Sequence, residues 1–474
     1  MNTARQDLGA ASTRQLLRRR LLSGSTWALV SKILVALSGL ISSALLARLL
    51  APQALGTYFL AYSILNVGTS LGALGLTGTV VRLVAEGMGL NLFGRVRRVI
   101  SVVIGVGALG ALGVGLAYLL FGDDLAKAVF NAPALAAITG LVAGWLIVGT
   151  LQSLLAETFR GFHDIRLASL LGGQGQVGGG ATGVVTLALL TASLFLLWLV
   201  NGQATLATVV LLAICSGAVS TLVAGWLLRR RVTGLPPQTS DSEEGRKANP
   251  KAVLGEVLSI SWPLLIVTLV MMVRTNGDIW TLGAFLPQGE LALYGAANRL
   301  VSVVTMPMVI ITSIAPPLIA EMYFQGNRED LEHALRSMAT LTGIPALLAS
   351  MGCIFFAGPI LDLVYGNYYR EGATVLALLS IGLFASVLAG SCGIVLSYTG
   401  HQKMLMVITI TSSAATLIAM FAAVEPYGIV GVAMAKAAGQ ILQNGIVLLV
   451  VKRKTGMWTH VGFRGMSQLW RITR

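Results

Sequence analysis

The sequence predicts an all-α polytopic membrane protein, with about 12 transmembrane helices in two six-helix lobes related by a pseudo-two-fold axis. Composition, apolar runs and charge placement predict this fold together. Only 11% of the 474 residues are charged, 55% are hydrophobic, and the mean hydropathy is +0.81. Because a soluble protein carries about 25% charged residues, most of this surface must face lipid. The composition therefore excludes a soluble enzyme and a disordered chain.

Twelve apolar runs reach the roughly 20 residues that a helix needs to cross the hydrocarbon core. The second and the seventh run are longer than one crossing requires, so we expect tilted, bent or protruding helices there. The predicted spans cover residues 21–50, 53–85, 99–121, 133–155, 167–199, 205–228, 253–286, 290–320, 335–360, 373–397, 404–424 and 428–451.

The basic residues are distributed unevenly between the two sides of these spans. If the N-terminus is cytoplasmic, 25 of the 33 Lys and Arg residues lie in cytoplasmic segments, and only Lys127 and Arg370 lie in outside loops. This bias follows the positive-inside rule, and it predicts that both termini are cytoplasmic. The formal charge of +14 then reflects topology and contact with anionic membrane lipids. We therefore expect no nucleic-acid partner.

Short sequence echoes indicate that the chain contains two parallel halves of six spans each. Pro52-Gln53 and Pro287-Gln288 each follow an apolar helix and precede a tyrosine, Tyr58 or Tyr294, by six or seven residues. Two parallel halves are related by an axis along the membrane normal and leave a cleft between them. The predicted organisation is a basic cytoplasmic N-tail (1–20), an N-terminal lobe (21–229), a cytoplasmic linker (230–252), a C-terminal lobe (253–451) and a basic cytoplasmic C-tail (452–474).

Six basic residues fall inside the predicted spans, against one clear acid, Asp278. A charge facing lipid at mid-helix costs about 2.5–3.5 kcal/mol, so these side chains should snorkel, pair or face water. Two bases lie near span ends, where snorkelling is expected, and the deeper four are expected to face a cavity. Such a cationic cavity should attract an anion such as phosphate or pyrophosphate. The six bases are Arg48 and Arg82 near span ends, and Lys32, Arg274, Arg299 and Lys436 at depth.

Arg274 and Asp278 are four residues apart on the seventh predicted helix, so they are expected to share a face. Two interpretations remain open. The pair is either a structural ion pair that lowers the cost of burying both groups, or a pair that exchanges partners when an anion arrives.

The sequence lacks the motifs of an enzyme or of a nucleotide-driven pump. It contains no Gly-x-x-x-x-Gly-Lys-Ser/Thr phosphate loop. Its 3 cysteines and 4 histidines have no metal-ligand spacing. We expect no catalytic residue, no metal and no cofactor.

Several short motifs resemble one known family. The segment from Leu45 through Gly56-Thr57-Tyr58 to Val80-Val81-Arg82 resembles the opening of bacterial polysaccharide-lipid flippases of the multidrug/oligosaccharidyl-lipid/polysaccharide exporter superfamily. Asp278 with Leu282-Gly283, then Leu293-Tyr294-Gly295 and Asn298-Arg299-Leu300, is similar to the matching stretch of their second half.

The resemblance implies a protein of the bacterial inner membrane that moves an undecaprenyl-pyrophosphate-linked oligosaccharide outward by alternating access, with coupling to an ion gradient. It implies a cationic central cavity for the pyrophosphate and sugar, and other polysaccharide assembly proteins as partners. Two alternatives stay open. A multidrug exporter of the same superfamily would place acids in its cavity, and a polysaccharide polymerase would need a large outward loop.

The charge count makes a direct prediction about topology. Cysteine-accessibility labelling in intact cells should find residues 230–252 and both tails protected from an impermeant reagent, and the loop 122–132 labelled from outside. A protected 122–132 loop would contradict the twelve-span topology.

Overall fold

The computed structural model describes most of the chain: residues 30, 31, 33–172, 183–236, 250–304 and 328–461, with positions 315, 319, 322 and 323. The predicted N-tail, most of the predicted linker, the end of the predicted C-tail and Lys32 lie outside the described residues.

The described residues are almost entirely helical. The N-terminal half contains α1 (Ile33–Leu49), α2 (Pro52–Gly72), α3 (Leu76–Gly89), α4 (Phe93–Asp124), α5 (Pro133–Ala136), α6 (Thr139–Gly161), α7 (Ile165–Leu171), α8 (Val184–Asn201) and α9 (Leu206–Thr233). The C-terminal half contains α10 (Pro250–Phe285), α11 (Gln288–Val304), α12 (Arg328–Phe355), α13 (Ala357–Tyr365), α14 (Ala373–Ala389), α15 (Cys392–Tyr398) and α16 (Gln402–Thr455). A π-helical turn (Leu125–Val129) and a 3-10 helix (Asn367–Gly372) lie in the connections.

Within the described residues, every predicted span contains helix, and this confirms the polytopic all-α fold. Eight of these helices are long and apolar enough to cross a membrane, or nine when the bent pair α2 and α3 counts as one crossing. The chain is a multi-pass membrane protein.

The second predicted span is bent, as its length indicated. Helices α2 and α3 meet at 47°, and the break falls at Leu74 and Gly75, which both have positive φ. Position 75 requires glycine, because the Cβ of any other residue would lie 2.2 Å from the Ser261 carbonyl oxygen. At this bend, the start of α3 lies against α10 of the other half, where Gly75 contacts Ser261.

The last two predicted spans form one hairpin-like element, α16. Gly428 interrupts it with φ 56° and ψ −141°, two residues after Pro426. The segments before and after Gly428 pack closely against each other. A Cβ on Gly439 would lie only 2.1 Å from Thr416 Oγ1. Positive φ is a conformation that glycine adopts readily, so Gly428 allows this tight reversal.

The hydrophobic core is joined at one end of the molecule and divided at the other. We call the end that carries Pro52 and Pro287 the outer end, following the predicted topology. One large cluster there combines residues of both halves, such as Leu55, Leu60, Leu291 and Tyr294. Towards the opposite end, the buried apolar residues form two separate clusters, one around α3, α4 and α9 and the other around α12, α15 and α16.

Close backbone contacts seal the two halves together at the outer end. The N-terminal turns of α2 and α11 touch, and a Cβ on Gly56 would lie 1.7 Å from the Gln288 carbonyl oxygen. Gln288 Nε2 also donates to the Phe130 carbonyl at 3.2 Å. The two Pro-Gln sequences that indicated an internal repeat thus start the two helices that meet at this seal.

Helix α10 departs from this division, because it contacts both halves. Its first turns pack into the cluster of the N-terminal half through Val253 and Val257. Ser261 and Thr79 share a hydroxyl hydrogen bond at 2.8 Å, and Arg95 binds Glu256 at 2.6 Å. Its last turns belong to the shared outer core. With 36 residues and 1.5 Å of rise per residue, α10 is longer than the roughly 30 Å hydrocarbon core.

The close contact at the outer seal predicts that Gly56 cannot be replaced without a loss of stability. Gly56→Ala should lower the melting temperature in detergent by several degrees, because the added methyl group overlaps backbone, and overpacking costs about 1–3 kcal/mol. The matched control is Gly113→Ala, since a Cβ at Gly113 would meet nothing within 4 Å. The control should be neutral or slightly stabilising. Equal melting temperatures for both variants would contradict the close contact at Gly56.

Candidate substrate cavity

A cavity of about 330 Å³ lies between α2 of the N-terminal half and α10, α11 and α16 of the C-terminal half. Twenty described residues line it, and they include three bases, ten non-aromatic neutral residues with hydroxyl or carboxamide groups, and no acid. The bases are Arg274, Arg299 and Lys436, and the neutral polar residues are Ser63, Asn66, Thr275, Asn276, Asn298, Ser302, Ser413, Thr416, Gln440 and Gln443. The wall therefore offers positive charge and hydrogen bonds.

The two halves contribute differently to this wall. Helix α2 supplies Phe59, Tyr62, Ser63 and Asn66, and every lining base comes from the C-terminal half. The cavity thus has a neutral, partly aromatic side and a cationic side.

Arg299 reaches from the cationic side of the cavity to the aromatic side and contacts the N-terminal half there. Its guanidinium lies over the ring of Tyr62, 4.8 Å from the ring centroid. The Tyr62 ring is stacked on Tyr58 with centroids 6.4 Å apart, and Trp145 packs beside both rings. A cation over an aromatic face is attracted by the ring quadrupole, so this contact holds Arg299 against α2.

Arg274 lies on the same side of the cavity as Lys436 and bonds to a neutral group. Its Nη1 donates to Gln443 Oε1 at 3.3 Å. Within the described residues, neither Arg274 nor Arg299 has a carboxylate at ion-pair distance. Both guanidinium groups therefore keep hydrogen-bond donors for an anion.

The acid in the predicted spans, Asp278, binds a different base from the one expected. Lys436 Nζ donates to Asp278 Oδ2, and Tyr294 donates to the same oxygen at 2.8 Å. Lys436 also donates to Asn298 Oδ1 at 3.1 Å. The carboxylate is almost fully buried, at 2% exposure, whereas Lys436 is 23% exposed.

The predicted pair of Arg274 and Asp278 is therefore wrong. The spacing of four residues places both on one side of α10, but the carboxylate is held by α11 and α16, where Tyr294 and Lys436 lie. The guanidinium instead lies one turn away in the cavity, against Gln443. Helical periodicity shows which residues share a face of one helix, but it does not show whether a group on a neighbouring helix lies closer to Asp278 than Arg274 does.

The other candidate site residues lie elsewhere. Arg48 lies in the last turn of α1 near the outer seal, and its Nη2 donates to the Leu363 carbonyl of the other half at 3.3 Å. Arg82 is an exposed residue of α3, beyond the bend. Neither residue is among those that line the cavity, so the structure brings together Arg274, Arg299, Lys436 and, behind them, Asp278. Lys32 lies outside the described residues.

Sequence reasoning missed the neutral residues of the cavity, although some left a signal. Lys436, Gln440 and Gln443 follow the i, i+4, i+7 spacing of one helix face. Tyr62 and Asn66 are likewise four apart on α2. Polar side chains at helical spacing inside an apolar run mark a face that does not contact lipid, and this face continues the one that carries the intramembrane bases.

Comparison with known proteins assigns the family. The family model described as "Polysaccharide biosynthesis protein" matches residues 21–323. The chain belongs to the polysaccharide biosynthesis protein family. A second family model, MatE, matches residues 263–424. No curated protein sequence matches the chain.

Solved structures share the fold at low sequence identity. An inward-facing multidrug resistance MATE family transporter of the MOP superfamily aligns with a TM-score of 0.70 at 14% identity, over 91% of this chain and 98% of its own. The outward-facing structure of a transporter with the same description aligns with a TM-score of 0.58 at 14% identity, over 92% and 95%. The lipid II flippase MurJ, in an inward closed conformation, aligns at 0.64 with 13% identity, over 89% and 87%.

The family model thus covers most of the chain, and the solved structures show that the chain shares the fold of a MATE family transporter and of the lipid II flippase MurJ. The shared fold agrees with the predicted all-α polytopic class, of which the described residues show eight helices, or nine with the bent pair, that are long and apolar enough to cross a membrane.

The buried pair yields a test by double substitution. Asp278→Leu leaves Lys436 without its acid, and Lys436→Met leaves Asp278 without its base. Because removing one partner of a buried ion pair costs about 3–5 kcal/mol, each single variant should be strongly destabilised. The double variant should recover most of the stability, as measured by thermal unfolding in detergent.

The control is a second cycle with Arg274→Leu in place of Lys436→Met. That cycle should show no recovery, because Arg274 does not bind the carboxylate. Recovery with Arg274→Leu, but not with Lys436→Met, would contradict the observed pairing.

Proposed function

We propose that this protein is a flippase that moves an undecaprenyl-pyrophosphate-linked oligosaccharide across the bacterial inner membrane by alternating access. One observation supports this substrate above all. The cavity presents three bases, ten non-aromatic neutral hydrogen-bonding side chains and no acid among its described lining residues. An anionic group attached to a sugar matches such a wall.

The bases suit a pyrophosphate. Arg274 and Arg299 lie on adjacent helices that line one cavity, and a guanidinium donates two parallel, charge-assisted hydrogen bonds to phosphate oxygens. Lys436 adds a third positive charge, although Asp278 offsets it. After Lys436 is paired with Asp278, the positive charges of Arg274 and Arg299 remain, and they attract an anion.

The neutral residues suit the sugar. Carboxamide and hydroxyl groups both donate and accept hydrogen bonds, as the hydroxyl groups of a sugar do. Asn66, Asn298, Gln440 and Gln443 lie around the two arginines, so the polar surface continues beyond the anion-binding groups. The volume of about 330 Å³ falls within the range of small-molecule sites.

The same wall argues against the multidrug alternative that the MatE match and the MATE transporter structures raise. An organic cation would meet Arg274, Arg299 and Lys436 without an accessible carboxylate, because Asp278 is buried behind Lys436. Like charges in a poorly solvated cavity repel strongly.

The molecular setting supports the proposed direction. In the predicted topology, which puts both tails in the cytoplasm, the sealed outer end closes the cavity from the outside, and the divided core lies on the cytoplasmic side. The structure then corresponds to the state that loads substrate from the cytoplasm. Coupling to an ion gradient and contact with other polysaccharide assembly proteins belong to this proposal.

The proposal is tested with surface glycan in a strain that lacks its own flippase. Arg274→Leu and Arg299→Leu should each reduce export, because losing one charge-assisted contact costs about 1.5–3 kcal/mol, or roughly ten- to hundredfold in affinity. Arg→Lys variants, which keep the charge but lose the fork, should be intermediate.

The control is Arg229→Leu, since Arg229 is exposed at the end of α9 and does not line the cavity. Its export should match the wild type. Ethidium efflux is measured in the same cells and should be absent. Wild-type export in both cavity variants, or ethidium efflux that depends on Asp278, would contradict the proposed substrate.

A further inference from the structure

We propose that Tyr62 makes the anion affinity of Arg299 depend on which side of the membrane the cavity faces. The inference rests on the proposed function, since it needs an anion in the cavity, and it adds the step by which that anion is bound on one side and released on the other.

The contact itself is well defined. The guanidinium of Arg299 lies over one face of the Tyr62 ring at 4.8 Å, and Tyr58 stacks on the same ring with an interplanar angle of 18°. Trp145 packs against Tyr58 and Tyr62 from α6, with ring centroids 5.9 and 6.0 Å away. The ring is therefore a fixed platform and not a free side chain.

A guanidinium on such a platform is ready to bind phosphate. Arg is planar, and it stacks through its face while it donates hydrogen bonds through its edge. Stacking on Tyr62 thus restricts the rotamers of Arg299, while a guanidinium, with its five N–H donors, keeps donors for an anion. A side chain that is already held in position loses less freedom when a ligand binds, so its affinity is higher.

The platform and the arginine belong to different halves. Tyr62 lies on α2 and Arg299 on α11, and the outer seal at Gly56 and Gln288 holds these two helices together. When the outer end opens to release substrate, α2 and α11 must separate there, and Arg299 loses its ring. The high-affinity arrangement then exists only while the outer end is closed.

The other two cavity bases do not share this dependence in the described structure. Arg274 binds Gln443, and Lys436 binds Asp278 and Asn298. All of these partners lie in the C-terminal half and move with it. Arg299 differs from them, because its described aromatic partner, Tyr62, lies in the other half. Its surroundings therefore change when the outer seal opens or closes.

A graded series of rings at position 62 tests the platform without changing its size. The protein is purified with Tyr, Phe, or mono-, di- and trifluorinated phenylalanine there, and the dissociation constant for inorganic pyrophosphate is measured by calorimetry. Fluorine removes negative charge from the ring face on which a cation depends. Affinity should fall stepwise from Phe to trifluorophenylalanine, by about tenfold over these rings.

The same series in an Arg299→Leu background is the control. There the affinity should be weak and independent of the ring. A flat series in the wild-type background, or equal slopes in both backgrounds, would overturn the role of Tyr62. Unchanged pyrophosphate affinity in Arg299→Leu itself would instead overturn the anion site of the proposed function.

The coupling to the outer seal needs a second measurement. Spin labels at Lys127→Cys and Glu371→Cys, exposed in the outer connections of the two halves, report their separation after Cys215, Cys353 and Cys392 are replaced by Ala. Because a ligand shifts an equilibrium only by its difference in affinity for the two states, pyrophosphate should favour the shorter distance with Tyr or Phe, and much less with trifluorophenylalanine. An equal shift with all rings would contradict the coupling.

Discussion

Asp278 and Lys436 form an ion pair in the part of the chain that crosses the membrane, and the charge distribution of the cavity depends on it. A charge in hydrocarbon is tolerated only when it is paired, hydrated or able to reach the interface. Asp278 meets this condition by accepting hydrogen bonds from Lys436 and Tyr294. Since the acid is thereby neutralised and covered, Arg274 and Arg299 determine the sign of the cavity.

The two halves share short sequence echoes, but their chemistry differs. The C-terminal half supplies the cavity bases and most of the carboxamide groups, whereas α2 supplies Tyr62 and a few neutral residues. This asymmetry has a mechanical consequence. Polar partners within one half move together, while contacts between the halves, such as Arg299 on Tyr62, change when the lobes move. Helix α10 links both sets, because its first turns pack on the N-terminal half and its last turns line the cavity.

Much of the fold follows from elementary patterns in the sequence. Apolar runs located the spans, and their excess length indicated the bend between α2 and α3. The deep bases Arg274, Arg299 and Lys436 do line one cavity, because an unpaired charge cannot face lipid. Pairing could not be predicted in the same way. Asp278 lies one helical turn from Arg274, yet it binds Lys436 from α16, 158 residues away. Such a choice depends on helix packing, and the position of Tyr62 opposite Arg299 depends on how the two halves meet.

The proposed substrate is an anionic, sugar-bearing lipid that crosses the membrane through the cationic cavity. The most direct measurement reconstitutes the purified chain in liposomes with a fluorescent polyprenyl-pyrophosphate oligosaccharide and follows its transfer between leaflets by lectin accessibility. Transfer should exceed that of protein-free liposomes, should be inhibited by inorganic pyrophosphate, and should be lost in the double variant Arg274→Leu with Arg299→Leu. Transfer at the wild-type rate in the double variant would contradict this proposal.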